Sequence, residues 1–249
     1  MLVLYDEGGH KVVLYSGLAP RGLVQANQLI IVDGDEALIA DPGGRTVFNK
    51  LFSELNRHIP ATKIRYIFYS HQDPDVAGAA ASWRLAALQA KVLISEIWVR
   101  FIPHMFTSSV ADDFYLPVPD EGMEVELGSS KLRLVPTHFL HSPGAFSLYD
   151  PVSKVLFSGD VGASIMPEDA GYETVDTPEA FEEHKQYMEW FHTRIMASQK
   201  ACRRWAALVR ELGAETIVPQ HGAALRGRDT VDAFLEWLEK LECGVDKLY

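Results

Sequence analysis

Cysteine is nearly missing from this chain: of 249 residues only Cys202 and Cys243 carry a thiol, and they are not spaced as Cys-x-x-Cys. That excludes a disulfide framework and a thiolate metal site, so any metal has to be held by histidine and carboxylate. Basic clusters are missing too. The formal net charge is −11 and the longest Lys/Arg block is the pair Arg203-Arg204, which argues against phosphate backbones and anionic lipid as partners. Neither nucleic acid nor a membrane is expected. No apolar stretch approaches a bilayer span, and the start, Met1-Leu2-Val3-Leu4-Tyr5-Asp6-Glu7, has acid where a secretory leader has a basic segment. A cytoplasmic protein is expected. No linker rich in Ser, Gly or Pro divides the chain, so residues 1–249 are read as one domain.

What is present is enough apolar sequence for a sizeable core, 47% hydrophobic against 23% charged residues. Short β-like runs dominate the opening: residues 11–15, 28–32 and 36–40, the last two joined by Asp33-Gly34-Asp35. Residues 46–58 have Val47, Leu51, Phe52 and Leu55 at helical spacing, residues 64–69 form a strand, 76–90 a helix and 91–94 another strand, while 97–106 is ambiguous. The second half repeats the order. Strands are expected at 123–127, 131–135, 145–149 and 154–157, then a loop over 161–177, two helices within 178–212 broken near Ala197-Ser198, a strand at 216–218 and a helix over 230–243. Two similar β-then-α halves imply two packed sheets flanked by helices, an α/β (α+β) architecture. The aromatic residues of the helical region, Phe181, Tyr187, Trp190, Phe191 and Trp205, are expected in the core.

One stretch stands apart: Ser70-His71-Gln72-Asp73-Pro74-Asp75-Val76, directly after the strand at 64–69. Its plain reading is a helix start, with Asp73 as N-cap, Pro74 in the first turn and Asp75 adding charge at the N-terminus. That leaves His71 idle. The other reading is half of a metal site, with side chains spaced by two converging from a tight strand-to-helix turn. Three more polar residues stand after strands and beside glycines: His141 in His141-Ser142-Pro143-Gly144, Asp160 after Gly159, and His221 before Gly222. Each alone reads as a turn residue. Together they make a shared site the better reading, because a sandwich aligns its strand-end loops along one edge. His138 competes with His141, which is preferred because the Ser-Pro-Gly turn fixes its direction. His10, His58, His104, His184 and His192 are expected at the surface or in packing.

The order of Leu38-Ile39-Ala40-Asp41-Pro42-Gly43, the His71 motif, His141-Ser142-Pro143-Gly144, Phe157-Ser158-Gly159-Asp160 and Pro219-Gln220-His221-Gly222 resembles the metallo-β-lactamase superfamily over essentially the whole chain. The resemblance implies an αββα sandwich with a two-metal site at one edge. Zinc hydrolases of that superfamily carry His-x-His-x-Asp-His at the first motif. A carboxylate at the third position, as here, is similar to the flavodiiron branch, and the shorter Asp with a terminal Val is closer to stand-alone oxygen-binding diiron proteins. By that resemblance His71, Asp73 and His141 bind a first iron, Asp75 and His221 a second, and Asp160 bridges both. Val76 stands where the flavodiiron pattern has a histidine, and either packs or leaves room at the second iron. The chain stops where flavodiiron proteins continue into a flavodoxin-like domain, so no bound flavin is expected. Two irons are the expected cofactor, with zinc or manganese able to substitute, and dioxygen or nitric oxide the expected ligand. The function implied is oxygen sensing, or O2 or NO reduction with a separate electron donor, in a homodimer with a redox or signalling protein partner. A two-metal hydrolase is the alternative.

Overall fold

The computed structural model describes residues 1–105, 114–167 and 174–248. Its strands alternate their side chains between two faces, and both faces are apolar. In β3 (Gln28–Asp33), Leu29 and Ile31 point into one core and Ile30 into another; in β4 (Glu36–Ala40), Leu38 and Ala40 are set against Ala37 and Ile39 in the same way. A strand buried on both faces must lie inside a layered structure, with a second sheet on one side and helices on the other.

The first sheet runs β1 (Leu2–Glu7), β2 (His10–Tyr15), β3, β4, β5 (Ile64–Phe68), β6 (Lys91–Ser95) and β7 (Tyr115–Val118) in sequence order. It is antiparallel up to β4 and parallel beyond. The second sheet has the order β13 (Leu225–Arg226), β12 (Thr216–Pro219), β11 (Val155–Gly159), β10 (Phe146–Asp150), β9 (Ser130–Pro136) and β8 (Met123–Leu127). Its β11–β12 pair is parallel and the other pairs are antiparallel. Leu29, Ile31, Leu38 and Phe68 of the first sheet meet Leu132, Leu134, Leu148 and Phe157 of the second in one core between them. The outer face of the first sheet packs on α1 (Arg45–Leu55) through Val47, Leu51 and Leu55. The outer face of the second packs on α6 (Gln199–Leu212) and α7 (Arg228–Lys240) through Trp205, Val209, Phe234 and Leu238. The order of layers is helix, sheet, sheet, helix.

Several expected boundaries shift. The helix over 76–90 is two short pieces, α2 (Pro74–Ala77) and α3 (Ala80–Ala86). The break falls at Gly78, where a Cβ would lie 2.2 Å from the Pro74 carbonyl oxygen of its own turn; a Cβ on Gly44 would lie 3.1 Å from that same oxygen, so the turn after β4 presses against the start of α2. The helical region divides near residues 197–198 as expected, but into three helices rather than two: α4 (Pro178–His184) and α5 (Glu189–Ile195), joined by a 3-10 turn, stand before the break, and α6 follows it, N-capped by Ser198. β1, β7 and β13 were not expected as strands. Pro117 argues against a strand within a sheet but is tolerated in β7, which forms an edge. Of the ambiguous 97–106 stretch, Ile102–Met105 is a single 3-10 turn and residue 106 lies outside the described residues. The same holds for residues 168–173 of the expected loop. Among the described residues no helix is long and apolar enough to cross a membrane.

Candidate metal centre

The six candidate residues all sit just past strand ends, on one edge of the sandwich. His71, Asp73 and Asp75 follow β5, His141 follows β9, Asp160 follows β11 and His221 follows β12. Asp73 does take the N-cap position of α2, but its side chain makes no capping bond. It turns inward. Asp73 Oδ2 lies 3.4 Å from His141 Nε2 and 3.7 Å from His71 Nε2. The plain reading of this stretch thus holds for the backbone and fails for the carboxylate.

Asp160 is the junction. Its Oδ2 lies 2.9 Å from His141 Nδ1 and 3.7 Å from His71 Nε2, while its Oδ1 lies 3.7 Å from His221 Nε2. His221 Nε2 is also 3.4 Å from Asp75 Oδ2. The six side chains therefore divide into a set of His71, Asp73 and His141 and a set of Asp75 and His221, with one oxygen of Asp160 facing each. His71, Asp73 and His141 also present one ligand atom apiece within 4.8 Å of one another, a spacing that suits a metal ion. His138 is not part of this group. Its Nε2 donates to the Asp120 carbonyl at 2.7 Å, outside the site.

Backbone and neighbours fix which imidazole nitrogens face inward. His221 Nδ1 donates to the Gln25 carbonyl at 2.8 Å, and His71 Nδ1 meets Ser70 Oγ at 2.9 Å, leaving both Nε2 atoms toward the carboxylates. Ser70 is itself bonded to the buried Asp41 carboxylate, which also accepts from the Ser70 backbone N–H at 2.7 Å. Asn27 pins the His221 turn, its side-chain nitrogen donating to the carbonyls of Pro219 and Gly222 at 2.8 Å each. At Gly222, with φ +83°, a Cβ would stand 1.8 Å from Ser164 Oγ, so only glycine lets this turn lie against the one after Asp160. His192, expected in packing, is buried there: its Nε2 accepts from the Gly162 N–H at 2.9 Å and its Nδ1 donates to Met188 O, which steadies the Asp160 turn. Burial lowers its pKa to about 4, so it stays neutral.

Electrostatics reports a site short of positive charge. Burial pulls the His141 and His221 imidazoles down. The carboxylates of Asp160 and Asp73 outweigh this at His141 and push it up to about 10; Asp75 and Asp160 push His221 up to about 9. Burial raises the Asp160 carboxyl, yet His71, His141 and His221 hold it well below the usual carboxylate range. Two buried atoms, His141 Nδ1 and Asp160 Oδ1, have no well-formed hydrogen bond. A donor set of three imidazoles and three carboxylates with unpaired atoms aimed inward fits a pair of cations.

A cavity of ≈ 260 Å³ opens onto these residues, walled by Val24, Ile165, Trp190, Phe191 and Ile195. Of the aromatics expected in the core, Phe181 and Trp205 are buried there and Phe191 packs against it while also facing the cavity; Trp190 is exposed. Adjacency in the sequence gives no signal against a core position, since Phe234 and Leu235 are also neighbours on one helix and both are buried in one core. Val76 is fully buried with Val47 and Leu51 in the cluster beneath α1, and it is not among the side chains that line the cavity.

A helix–sheet–sheet–helix sandwich carrying His and Asp side chains on its strand-end turns, centred on one shared carboxylate, is the metallo-β-lactamase class. Within that class, the family model described as ODP family beta lactamase matches residues 24–222, and the chain belongs to this family. It is similar to a solved structure described as a peroxy diiron species of the chemotaxis sensor ODP: 41% identity, TM-score 0.87, covering 99% of this chain and 97% of that one. The apo state of the chemotaxis sensor ODP from T. denticola gives 39% identity and TM-score 0.82, over 99% and 96% of the two chains. An uncharacterised protein of Methanocaldococcus jannaschii is 23% identical over 213 residues, 85% of this chain but 52% of that protein. The chain spans about half the length of that curated relative.

Proposed function

We propose that this chain is a non-haem diiron oxygen sensor, with residues 1–249 acting as one metal-binding domain. The ligand assignment is His71, Asp73 and His141 for one iron, Asp75 and His221 for the other, and Asp160 between them. The observation that carries it is the division of Asp160, one oxygen toward His71 and His141 and the other toward His221. Carboxylate and imidazole together favour iron or manganese over a softer, thiolate-preferring ion. A bound ferrous pair supplies the electrons that let such a site take up dioxygen. The chain's own residues do the rest: Asp75, Asp73 and Asp160 offset the cations' charge, Ser70 and the Gln25 carbonyl orient imidazoles, and Ile165, Phe191 and Ile195 give the cavity an apolar wall. A space of ≈ 260 Å³ is ample for a diatomic ligand. Val76 offers no donor to the second position, which is thereby one nitrogen poorer than the flavodiiron pattern.

Sensing rather than reduction is favoured by the likeness to a protein described as a chemotaxis sensor. The signal would then pass to a protein partner, with a homodimer as the resting form. A cytoplasmic setting agrees with two buried free thiols, Cys202 and Cys243, whose sulfurs stand 3.8 Å apart unbonded. The test is metal loading with iron and zinc both available, followed by oxygen exposure. About two irons per chain are expected, and oxygen uptake that stops near one molecule per chain without an added donor. Stoichiometric zinc with rapid thioester hydrolysis would overturn the diiron reading, and sustained oxygen consumption on a generic reductant would replace the sensor by a reductase.

A further inference from the structure

Two glutamines stand next to the proposed ligands in sequence, and each aims its amide at a carboxylate. Gln72 Nε2 donates to Asp73 Oδ1 at 2.9 Å, while its Oε1 accepts from Ser142 Oγ at 2.7 Å. Gln220 Nε2 donates to Asp75 Oδ2 at 3.1 Å. The two contacts differ in which oxygen they take. At Asp73 the amide holds the oxygen turned away from the histidines, because Oδ2 is the atom facing His71 and His141. At Asp75 the amide holds Oδ2, the same oxygen that faces His221.

Gln220 is also placed at a cost. It is fully buried, and its Oε1 has no hydrogen-bond partner. Burying an amide with one end unpaired is unfavourable, and an apolar side chain of the same shape would fold at least as well. The contact to Asp75 is the one thing the side chain does that such a replacement would lose. Gln72, by contrast, has both ends of its amide occupied and ties the Asp73 turn on the first sheet to the His141 turn on the second.

We infer that these glutamines grade the two metal positions, Gln72 strengthening the first by fixing Asp73 from behind and Gln220 weakening the second by occupying the oxygen of Asp75 that faces it. The inference rests on the diiron reading. A carboxylate oxygen that already accepts an N–H has less electron density to give a cation, whereas a bond to the distal oxygen orients the ligand without competing for the lone pair in use. The two amides act through the carboxylates of Asp73 and Asp75 and would not themselves ligate iron, so both are positioning residues. The second position becomes the one that fills last and empties first.

The experiment is anaerobic titration of the metal-free chain with ferrous iron, read by calorimetry and by chelator competition, with thermal unfolding of the metal-free forms alongside. The wild type is expected to bind two equivalents, the second more weakly. Gln220→Met, close in shape and without a donor, is expected to tighten the second equivalent about tenfold, leave the first unchanged, and melt no lower than the wild type. Gln72→Met is expected to weaken the first equivalent about tenfold. The opposite signs are what a purely structural role would not give: both variants weakening both equivalents, together with lowered melting, overturns the inference, and so do unmoved affinities. If Gln220→Met does not fold, Gln220→Leu carries the same comparison. A wild type that fails to bind two equivalents overturns the diiron reading itself, and is told apart from a failure of the inference by that first titration.

Discussion

Asp160 holds three imidazoles with two oxygens, and the consequences are acid–base as much as structural. In the metal-free chain, His141 and His221 keep protons up to about pH 10 and about pH 9 because the carboxylates around them need a counter-charge. Their pKa values are raised above the unfolded value near 6.5, so the folded state binds protons more tightly than the unfolded one. The stability they contribute is complete below about pH 6.5 and is lost as pH rises toward about 10. Asp160 and Asp75, held low by the same contacts, contribute above the ordinary carboxylate range and lose their share in acid. These are one set of interactions seen from both partners, and they are not added. The expected outcome is a metal-free chain whose melting temperature falls between about pH 6.5 and about pH 10, while the iron-loaded form stays level because the cations have displaced those protons. A pH-independent melting curve for the metal-free form would contradict this, as would iron uptake that releases no protons into an unbuffered solution.

At the scale of elements, the site depends on how closely two strand-exit turns approach. Gly44, after β4, and Gly78, between α2 and α3, meet without side chains, and that contact sets the direction of α2 and with it of Asp73 and Asp75. Gly78→Ala would place a methyl 2.2 Å from the Pro74 carbonyl oxygen, which has to move. A loss of about 1–3 kcal/mol in denaturant unfolding is expected, with weaker metal retention; full stability would show that α2 is free to shift. This close approach was not legible in the sequence, where the alanine-rich stretch reads as one helix over 76–90 because propensity carries no record of a neighbouring turn. The strands were legible because the period of two survives in Leu29-Ile30-Ile31 and Leu38-Ile39-Ala40 whatever packs on them. The inward-facing residues were legible only as a set: a polar side chain beside glycine at a strand exit reads alone as a turn residue, and four such exits in one chain point to a shared edge. What stayed hidden were the residues one step behind, Asp41, Gln72, Asn27 and Gln220, since an amide or carboxylate in a turn looks the same whether it meets water or a ligand's second oxygen. Trp190 was misplaced into the core because aromatic spacing along a helix does not show which side chains a cavity will expose.

For the whole molecule, the proposed ligand set has a mechanical meaning. Each iron would take side chains from both sheets: His71 and Asp73 from the first with His141 from the second, and Asp75 from the first with His221 from the second. The core between those sheets is continuous and apolar, from Leu29 and Phe68 to Leu148 and Phe157. A metal at the edge is then a rivet through two plates that already adhere, and neither plate can lift at that edge while the rivet is in. If iron leaves only when the plates part, and not through the cavity that opens onto it, the clock for release belongs to the protein and not to whatever is waiting to capture the ion. With a strong chelator in excess, the rate of iron loss is expected to level off as chelator concentration rises, at the rate at which amide protons along β5 and β11 exchange with solvent. A loss rate that keeps climbing in proportion to chelator would mean the centre is reached from outside without the sandwich opening.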